Sequence, residues 1–239
     1  MIKIAVPGVG GRMGSAVAKQ VLQARDLKLT VVTARTANPL CGKKFLNTDL
    51  LVADNLASSK FDVLIDFTLP VAVIEHLAYC VEHKLAMVIG ATGFNDFQLH
   101  AIKQAAQKIP ILQAANMSLG VNLCYKLLAQ AAKMFDHQWD ITIVDEHHKH
   151  KKDSPSGTAK QMAQILAETS GRDLEEINIY SERQGDTIGV HTVTFANPNE
   201  LVMISHVAEN REIYATGALA AARWIFGKQP GLYSMLDIV

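Results

Sequence analysis

The chain has 239 residues, of which 49% are hydrophobic and 19% charged, which is enough apolar material for one large or two modest domains. Because 23 Lys and Arg residues balance 23 Asp and Glu residues, no overall field favours nucleic acid or a membrane surface. The three cysteines lack a Cys-x-x-Cys pair, which argues against a disulfide framework or a zinc knuckle. No apolar run approaches the roughly 20 residues that span a bilayer. We expect a cytoplasmic protein without nucleic-acid or membrane partners.

Short apolar runs alternate with amphipathic stretches over the first half of the chain. Near-continuous apolar runs are typical of strands buried on both faces of a parallel sheet. Their alternation with helices indicates a doubly wound α/β fold. Strands are predicted over residues 2–6, 27–33, 61–67, 86–89 and 109–113, and helices over 13–24, 70–83 and 96–108.

The pattern changes after a long apolar helix predicted over residues 119–135. A predicted strand over 140–145 leads into a cluster of histidines, and one helix follows it. Strand-like runs then occur at 177–181, 190–196, 201–207 and 212–215, before an Ala-rich helix at 218–226. Consecutive strands joined by turns indicate an antiparallel or mixed sheet. We therefore predict a second domain of the α+β class with a mixed open sheet.

A glycine-rich turn lies between the first strand and the first helix, where a dinucleotide fold binds phosphate. Its glycines are Gly8, Gly11 and Gly14, because Met13 stands where a strict G-x-G-x-x-G motif needs glycine. Small residues let the backbone approach a pyrophosphate in front of the helix N-terminus. The alternative is an ordinary glycine-rich turn. We predict a Rossmann-like dinucleotide-binding domain.

The end of the second strand bears on the choice of cofactor. NAD-preferring sites usually have Asp or Glu there, bonded to the ribose hydroxyls. This chain has Ala34 and Arg35 instead. An Arg accommodates a 2′-phosphate, so we predict that NADPH is used at least as well as NADH. The alternative is that Arg35 is only a surface residue.

The segment 146–159 is the most informative stretch of the chain. It places three imidazoles and three ammonium groups within residues 147–152. A turn and helix-start pattern follows, with Asp153 and Ser156 as candidate N-caps and Pro155 suited to a first turn. A helix N-terminus beside a cationic loop suits an anion such as a carboxylate or a phosphate. The alternative is a solvated basic loop before an ordinary capped helix.

A metal site in this segment is a weaker interpretation. His147, His148, His150, Asp145 and Asp153 could supply ligands, but their spacing matches no standard zinc motif and the nearby lysines oppose a dication. We expect no metal. The other histidines are expected in packing or hydrogen-bonding roles (His191, His206) or at the surface (His76, His83, His100, His137).

Taken together, these motifs resemble the 4-hydroxy-tetrahydrodipicolinate reductase family, also called the dihydrodipicolinate reductase family. The resemblance spans essentially the whole chain, and segment 146–159 is its most specific part. The other matching segments are Gly8-x-x-Gly11-Arg12-Met13-Gly14, Asp66-Phe67-Thr68, 90–94, 115–122, Arg183-x-Gly185, 189–193 and His206-x-Ala208-x-x-Arg211.

The resemblance implies reduction of the cyclic imine derived from 4-hydroxy-tetrahydrodipicolinate to tetrahydrodipicolinate, with NADPH or NADH. It implies that His147 is the general acid and that Lys151 is a second catalytic residue that stabilises charge on the substrate. His148 would bind the dicarboxylate substrate, and the N–H groups of Gly157 and Thr158 would hold one carboxylate. Histidine suits the acid role, since its ordinary pKa lies near about 6.5.

The resemblance also implies a homotetramer and a set of cofactor-binding residues. The predicted domains are a dinucleotide-binding domain of residues 1–118 and 212–239 and a substrate-binding and oligomerisation domain of residues 119–211. Two departures from the family pattern are Ala34, in place of a common acidic residue, and Met117, in place of a frequent aromatic. The cofactor-binding residues are Gly8, Gly11, Arg12, Met13, Gly14, Arg35, Gly90, Thr92, Ala114, Ala115, Asn116 and Met117.

Two other functions share part of the pattern. A different Rossmann dehydrogenase, such as one acting on aspartate, has the glycine turn but no need for the His/Lys cluster. A non-catalytic dinucleotide-sensing module would keep the turn and lose the acid and the anion site. The intact cluster argues against both alternatives.

Overall fold

The computed structural model describes residues 1–56 and 60–239. Over this part of the chain the strands are β1 (Ile2–Pro7), β2 (Leu27–Thr33), β3 (Val63–Asp66), β4 (Ala86–Ile89), β5 (Pro110–Gln113), β6 (Asp140–His147), β7 (Asn178–Arg183), β8 (Gly189–Ala196), β9 (Leu201–Ala208) and β10 (Gly231–Tyr233). The α-helices are α1 (Arg12–Gln23), α2 (Pro70–Glu82), α3 (Asp96–Ala106), α4 (Leu119–Met134), α5 (Gly157–Ser170) and α6 (Glu212–Ile225).

The first compact unit comprises Met1–Met117 and Tyr214–Ile238. Its six strands form a parallel sheet in the order β10-β5-β4-β3-β1-β2. All residues of β3 and β4 are buried, which explains why these strands are near-continuous apolar runs. The strand order reverses between β1 and β3, and ligands of such sheets bind beyond the carboxyl ends of the strands at this reversal.

The second compact unit comprises Ser118–Ile213 together with Val239. Its sheet has the order β7-β6-β8-β9, with β6 and β7 parallel and the other neighbours antiparallel. One face packs against α4 and α5, with Leu128, Leu166 and Phe195 fully buried between them. The alternating residues of β6 are therefore buried on one face only.

The predicted fold class is confirmed by these two sheets, a parallel α/β sheet and a mixed four-stranded sheet. The division into domains at residues 118 and 212 stays a prediction, beside the two units described above. Among the described residues, every helix is too short or too polar to cross a membrane.

Two predictions of local structure are wrong. Residues 212–215 form the first turn of α6 and not a strand. This short run fits a strand or a helix by its pattern alone. Ala215, Ala218 and Ala222 are buried on one helical face, and this packing favours the helix. Strand β10 was not predicted, because its three residues form a short edge strand beside β5.

Candidate active site

The glycine-rich turn after β1 has the backbone geometry that its sequence predicts. Gly8 adopts a left-handed conformation with φ of +70°, which glycine adopts without steric cost. A Cβ at Gly14 would clash with the carbonyl oxygen of Gly8. Gly11 is the N-cap of α1 and has no side chain to cap the first N–H groups of that helix. This turn is thus suited to an anion at the start of α1.

Most of the other predicted cofactor residues follow the carboxyl ends of neighbouring strands. Arg35 is exposed just after β2, and Gly90 directly follows β4 with its N–H donating to the carbonyl of Asp66 at 2.8 Å. Arg12 and Thr92 are exposed, and Met13 is half-buried. These positions lie along one edge of the parallel sheet, where such folds bind their ligands.

The segment after β5 contains four of the predicted cofactor residues, of which three are at least partly exposed and one is buried. Ala114 donates its N–H to the carbonyl of Ile89 at 3.2 Å. Ala115 is exposed and Asn116 is half-buried. Met117, however, is only 1% exposed and lies in the core. Its carbonyl oxygen packs closely against Gly217 of α6. The place of Met117 in the cofactor site stays a prediction.

In the second unit, a buried carboxylate organises the predicted catalytic region. Asp145 is fully buried on β6. Its Oδ1 atom lies 3.0 Å from Nδ1 of His147 and 3.2 Å from Nε2 of His191. Its Oδ2 atom accepts hydrogen bonds from Nη2 of Arg183 at 2.9 Å and from the backbone N–H of Ser156 at 2.9 Å. Groups from β6, β7, β8 and the N-cap of α5 thus converge on one carboxylate.

These contacts determine the ionisation of Asp145. Burial alone would raise its pKa, but hydrogen bonding by His147, His191 and Ser156 outweighs burial and holds the pKa far below its ordinary value. The carboxylate is therefore ionised at neutral pH. From the sequence, Asp145 is only a possible metal ligand, and the signal for its role is its spacing of two residues from His147 on a strand.

The carboxylate orients the imidazole of His147. Because Nδ1 faces Asp145 at 3.0 Å, Nε2 is the nitrogen left for other chemistry. Nε2 lies 3.1 Å from the position that a Cβ would take at Gly189. The absent side chain at Gly189 leaves room for the ring. The ionised carboxylate thus lies against one nitrogen of the imidazole and leaves the other nitrogen facing Gly189.

Lys151 and His148 lie in the loop after β6. The Nζ atom of Lys151 contacts both carboxylate oxygens of Asp153 at 2.8 Å, and hydrogen bonding by this lysine lowers the pKa of Asp153. Nε2 of His148 lies 3.5 Å from Nη2 of Arg211. Burial, followed by the charges of Arg211 and His150, lowers the pKa of His148 and favours its neutral form. Arg211 had no predicted role.

Helix α5 begins at Gly157 with Ser156, one of the candidate caps, as its N-cap. Pro155 precedes this cap, so its predicted place in the first turn is wrong. The Oγ atom of Ser156 accepts the N–H of Ala159 at 3.2 Å and lies 3.1 Å from Nε2 of His191. Gly157, the first residue of the helix, is exposed. The side chain of Thr158 hydrogen-bonds Tyr125. The first N–H groups of a helix have no acceptors within the helix, so this end is suited to an anion.

Asp145, His147 and His191 also have the composition of a cation site, since one ligand atom from each lies within 4.8 Å of the others. The same carboxylate, however, already pairs with Arg183 at 2.9 Å. A guanidinium beside the site opposes a dication. The absence of a resident metal stays a prediction.

Two features together define the class of protein. The first unit has the parallel sheet and glycine turn of a dinucleotide-binding domain, and the second holds a carboxylate–imidazole pair beside a cationic loop. The family descriptions "Dihydrodipicolinate reductase, N-terminus" and "Dihydrodipicolinate reductase, C-terminus" match residues 2–117 and 120–239. The chain therefore belongs to the dihydrodipicolinate reductase family, as the sequence motifs predicted.

Solved structures agree with this assignment. The chain is similar to a dipicolinate-bound dihydrodipicolinate reductase from Paenisporosarcina sp. TG-14, with 27% identity, a TM-score of 0.89 and 100% coverage of both chains. A Corynebacterium glutamicum diaminopimelate dehydrogenase in complex with diaminopimelate has 14% identity and a TM-score of 0.60, covering 100% of this chain and 94% of that one. An aspartate dehydrogenase from Thermotoga maritima has 10% identity and a TM-score of 0.52, covering 96% and 98%. The last two share the fold alone.

Proposed function

We propose that the protein reduces the dihydrodipicolinate imine, derived from 4-hydroxy-tetrahydrodipicolinate, to tetrahydrodipicolinate in the diaminopimelate and lysine pathway. The observation that carries this proposal is the contact between buried Asp145 and His147, next to a cationic loop and a helix N-terminus. The proposal also rests on membership of the family over both halves of the chain. The similar Paenisporosarcina protein bound dipicolinate, a ring with two carboxylates.

Two anion sites of the second unit fit the two carboxylates of such a substrate. The N-terminus of α5, with Gly157 exposed and Thr158 next to it, would hold one carboxylate through backbone N–H groups. Arg211 and the neighbouring His148 would bind the other. Because His148 is neutral, Arg211 supplies the fixed charge at this second site.

Two further residues complete the reaction: His147 supplies the proton, and Lys151 supplies a positive charge. A bound nicotinamide supplies the hydride, which leaves negative charge on the conjugated imine. His147 donates its Nε2 proton to the reduced substrate, and Asp145 stabilises the imidazolium before that transfer. Lys151 turns its ammonium from Asp153 toward the developing anion and lowers the energy of the transition state.

We further propose that NADPH or NADH binds at the glycine turn of the first unit, with NADPH used at least as well. Arg35 is exposed where a 2′-phosphate would lie, and Ala34 carries no charge that would repel it. The residues that would hold the cofactor are Gly8, Gly11, Arg12, Met13, Gly14, Arg35, Gly90, Thr92, Ala114, Ala115, Asn116 and Met117.

The protein is expected to work in the cytoplasm as a homotetramer. The face of the mixed sheet opposite α4 and α5 exposes large apolar side chains. Leu201, Met203 and Val207 of β9 are each 59% exposed, and Tyr180 of β7 is 60% exposed. Apolar patches of this kind are typical of protein–protein interfaces. Association of these sheets between subunits would cover them.

A coupled assay tests the function. Purified protein is mixed with NADPH, pyruvate, aspartate semialdehyde and dihydrodipicolinate synthase, and NADPH oxidation is followed by absorbance. We expect oxidation that requires the synthase and that is lost in His147→Gln. Oxidation with oxaloacetate and ammonia instead would identify an aspartate dehydrogenase. Cofactor binding without turnover in either mixture would identify a sensing module.

A further inference from the structure

A second buried carboxylate lies at the end of β3, in the first unit. Asp66 is fully buried. Its Oδ1 atom accepts hydrogen bonds from the backbone N–H of Thr68 at 2.8 Å and from the Thr68 hydroxyl at 2.6 Å. Its Oδ2 atom lies 2.7 Å from Nδ1 of His76 on α2. None of these three residues has a role in the function proposed above.

The turn that Asp66 organises contacts two glycines of the predicted cofactor site. A Cβ at Gly8 would lie 2.8 Å from the Cγ2 methyl of Thr68, so this methyl covers the phosphate turn directly. A Cβ at Gly90 would clash with the ring of Phe67. The carboxyl ends of β1 and β3 are the point at which the strand order reverses. The turn therefore forms a wall of the crevice that binds ligands in such folds.

His76 is not the surface residue that its sequence position led us to expect. Its side chain is only 19% exposed, because it turns toward Asp66. The imidazole can donate its Nδ1 hydrogen to the carboxylate in both its neutral and its charged form.

We propose that His76 and Asp66 are positioning residues for the dinucleotide. They hold Thr68 so that its methyl group seats the Gly8 turn in the conformation that receives the pyrophosphate. Three donor groups, two from Thr68 and one from His76, also neutralise part of the buried charge behind a turn that must accept an anion. This inference rests on the proposed use of NADPH or NADH.

The test compares two substitutions of His76 with one control. His76→Ala removes the donor, whereas His76→Asn keeps an N–H near the place of Nδ1. We expect His76→Ala to raise the dissociation constants of NADPH and NADH equally, by about tenfold. His76→Asn should stay within about threefold of wild type, and the exposed His100→Asn should have no effect. The turnover number at saturating cofactor should change by less than about twofold in all three.

Two substitutions of Thr68 test the same contact independently, should His76→Ala fail to fold. Thr68→Ser keeps the hydroxyl donor and removes the methyl that contacts Gly8. Thr68→Val keeps the methyl and the backbone N–H and removes the hydroxyl donor to Asp66. We expect both to weaken cofactor binding by about threefold or more. Unchanged dissociation constants in both, or in folded His76→Ala, would overturn the proposal.

Calorimetric titration of wild-type protein with each cofactor separates this inference from the proposed function. If the wild type binds neither cofactor, the proposed function and this inference both fail. If the wild type binds and turns over while the variants bind equally well, only the positioning role fails. Equal losses in His76→Ala and His76→Asn, with lowered thermal midpoints, would reduce His76 to a structural residue.

Discussion

The Nδ1 atom of His147 lies 3.0 Å from the Oδ1 atom of fully buried Asp145. The carboxylate is itself held by Arg183 through a 2.9 Å contact to its other oxygen. An imidazole oriented in this way presents only Nε2 to a substrate. The geometry is that of a histidine oriented by a buried carboxylate.

Asp145→Asn is expected to reduce the turnover number by about 100-fold or more, because an amide neither stabilises the imidazolium nor selects the Nδ1–H tautomer. The variant should also lose about 3 kcal/mol of stability, since Arg183 would lose its ionic partner in a buried site. Steady-state kinetics and urea unfolding measure the two effects. Asp140→Asn, at the exposed start of the same strand, is the control. Normal turnover in folded Asp145→Asn would contradict the assignment.

The depressed pKa of Asp145 predicts a loss of stability in acid. The folded-state pKa lies below the ordinary value of about 3.9, so the unfolded chain binds a proton first as the pH falls. The contribution of Asp145 is thus complete above about pH 5 and declines as the pH falls through 4 and below. The difference in unfolding midpoint between wild type and Asp145→Asn should narrow as the pH falls from neutral to about 3. A difference in midpoint that does not change with pH would show that the charge of Asp145 is not responsible for its contribution to stability.

His147→Gln and Lys151→Ala should each lower the turnover number by about 100-fold and leave cofactor dissociation constants nearly unchanged. The reason is that both side chains lie in the second unit and act on the substrate in the proposed mechanism. The exposed Lys152→Ala, next to Lys151, is the control. Stopped-flow kinetics measures the turnover number, and titration with NADPH measures the cofactor dissociation constant. Turnover close to wild type in either variant would refute its proposed role.

Arg35→Ala should raise the Michaelis constant for NADPH by about tenfold and leave that for NADH within about twofold, because only NADPH carries the 2′-phosphate. The reverse substitution, Ala34→Glu, should disfavour NADPH by repulsion. Initial rates with each cofactor at a fixed substrate concentration give the ratio of the Michaelis constants for NADPH and NADH. A strong preference of the wild type for NADH would remove the basis of this prediction.

Introducing a charge on the exposed face of β9 should dissociate the predicted tetramer. Met203→Glu places a carboxylate in the patch that includes Leu201 and Val207, and burial of an unpaired carboxylate in an interface is costly. Light scattering after size exclusion would give the mass of wild type, of Met203→Glu and of Lys133→Glu, an exposed change on α4. A monomeric wild type would contradict the prediction.

Much of the fold could be predicted from local patterns. The alternation of apolar runs and amphipathic stretches predicted the parallel sheet, and nine of the ten strands in the described part of the chain start and end within about two residues of their predicted limits. The glycine turn and the N-cap at Ser156 were also predicted, since both depend on short-range steric and hydrogen-bonding rules. Residues 212–215 were assigned wrongly, because a short apolar run fits a strand or a helix equally well.

The sequence by itself determined the two sheets, the phosphate turn, the reactive loop and the resemblance to one family, because these depend on residue order over short distances. Only the tertiary structure decided which residues surround Asp145. Its pairing with Ser181 in parallel register and with His191 in antiparallel register brings distant strands to one carboxylate. Strand register depends on packing between elements, and no periodicity of the chain encodes it. The same reason accounts for His76, whose partner Asp66 lies on another element.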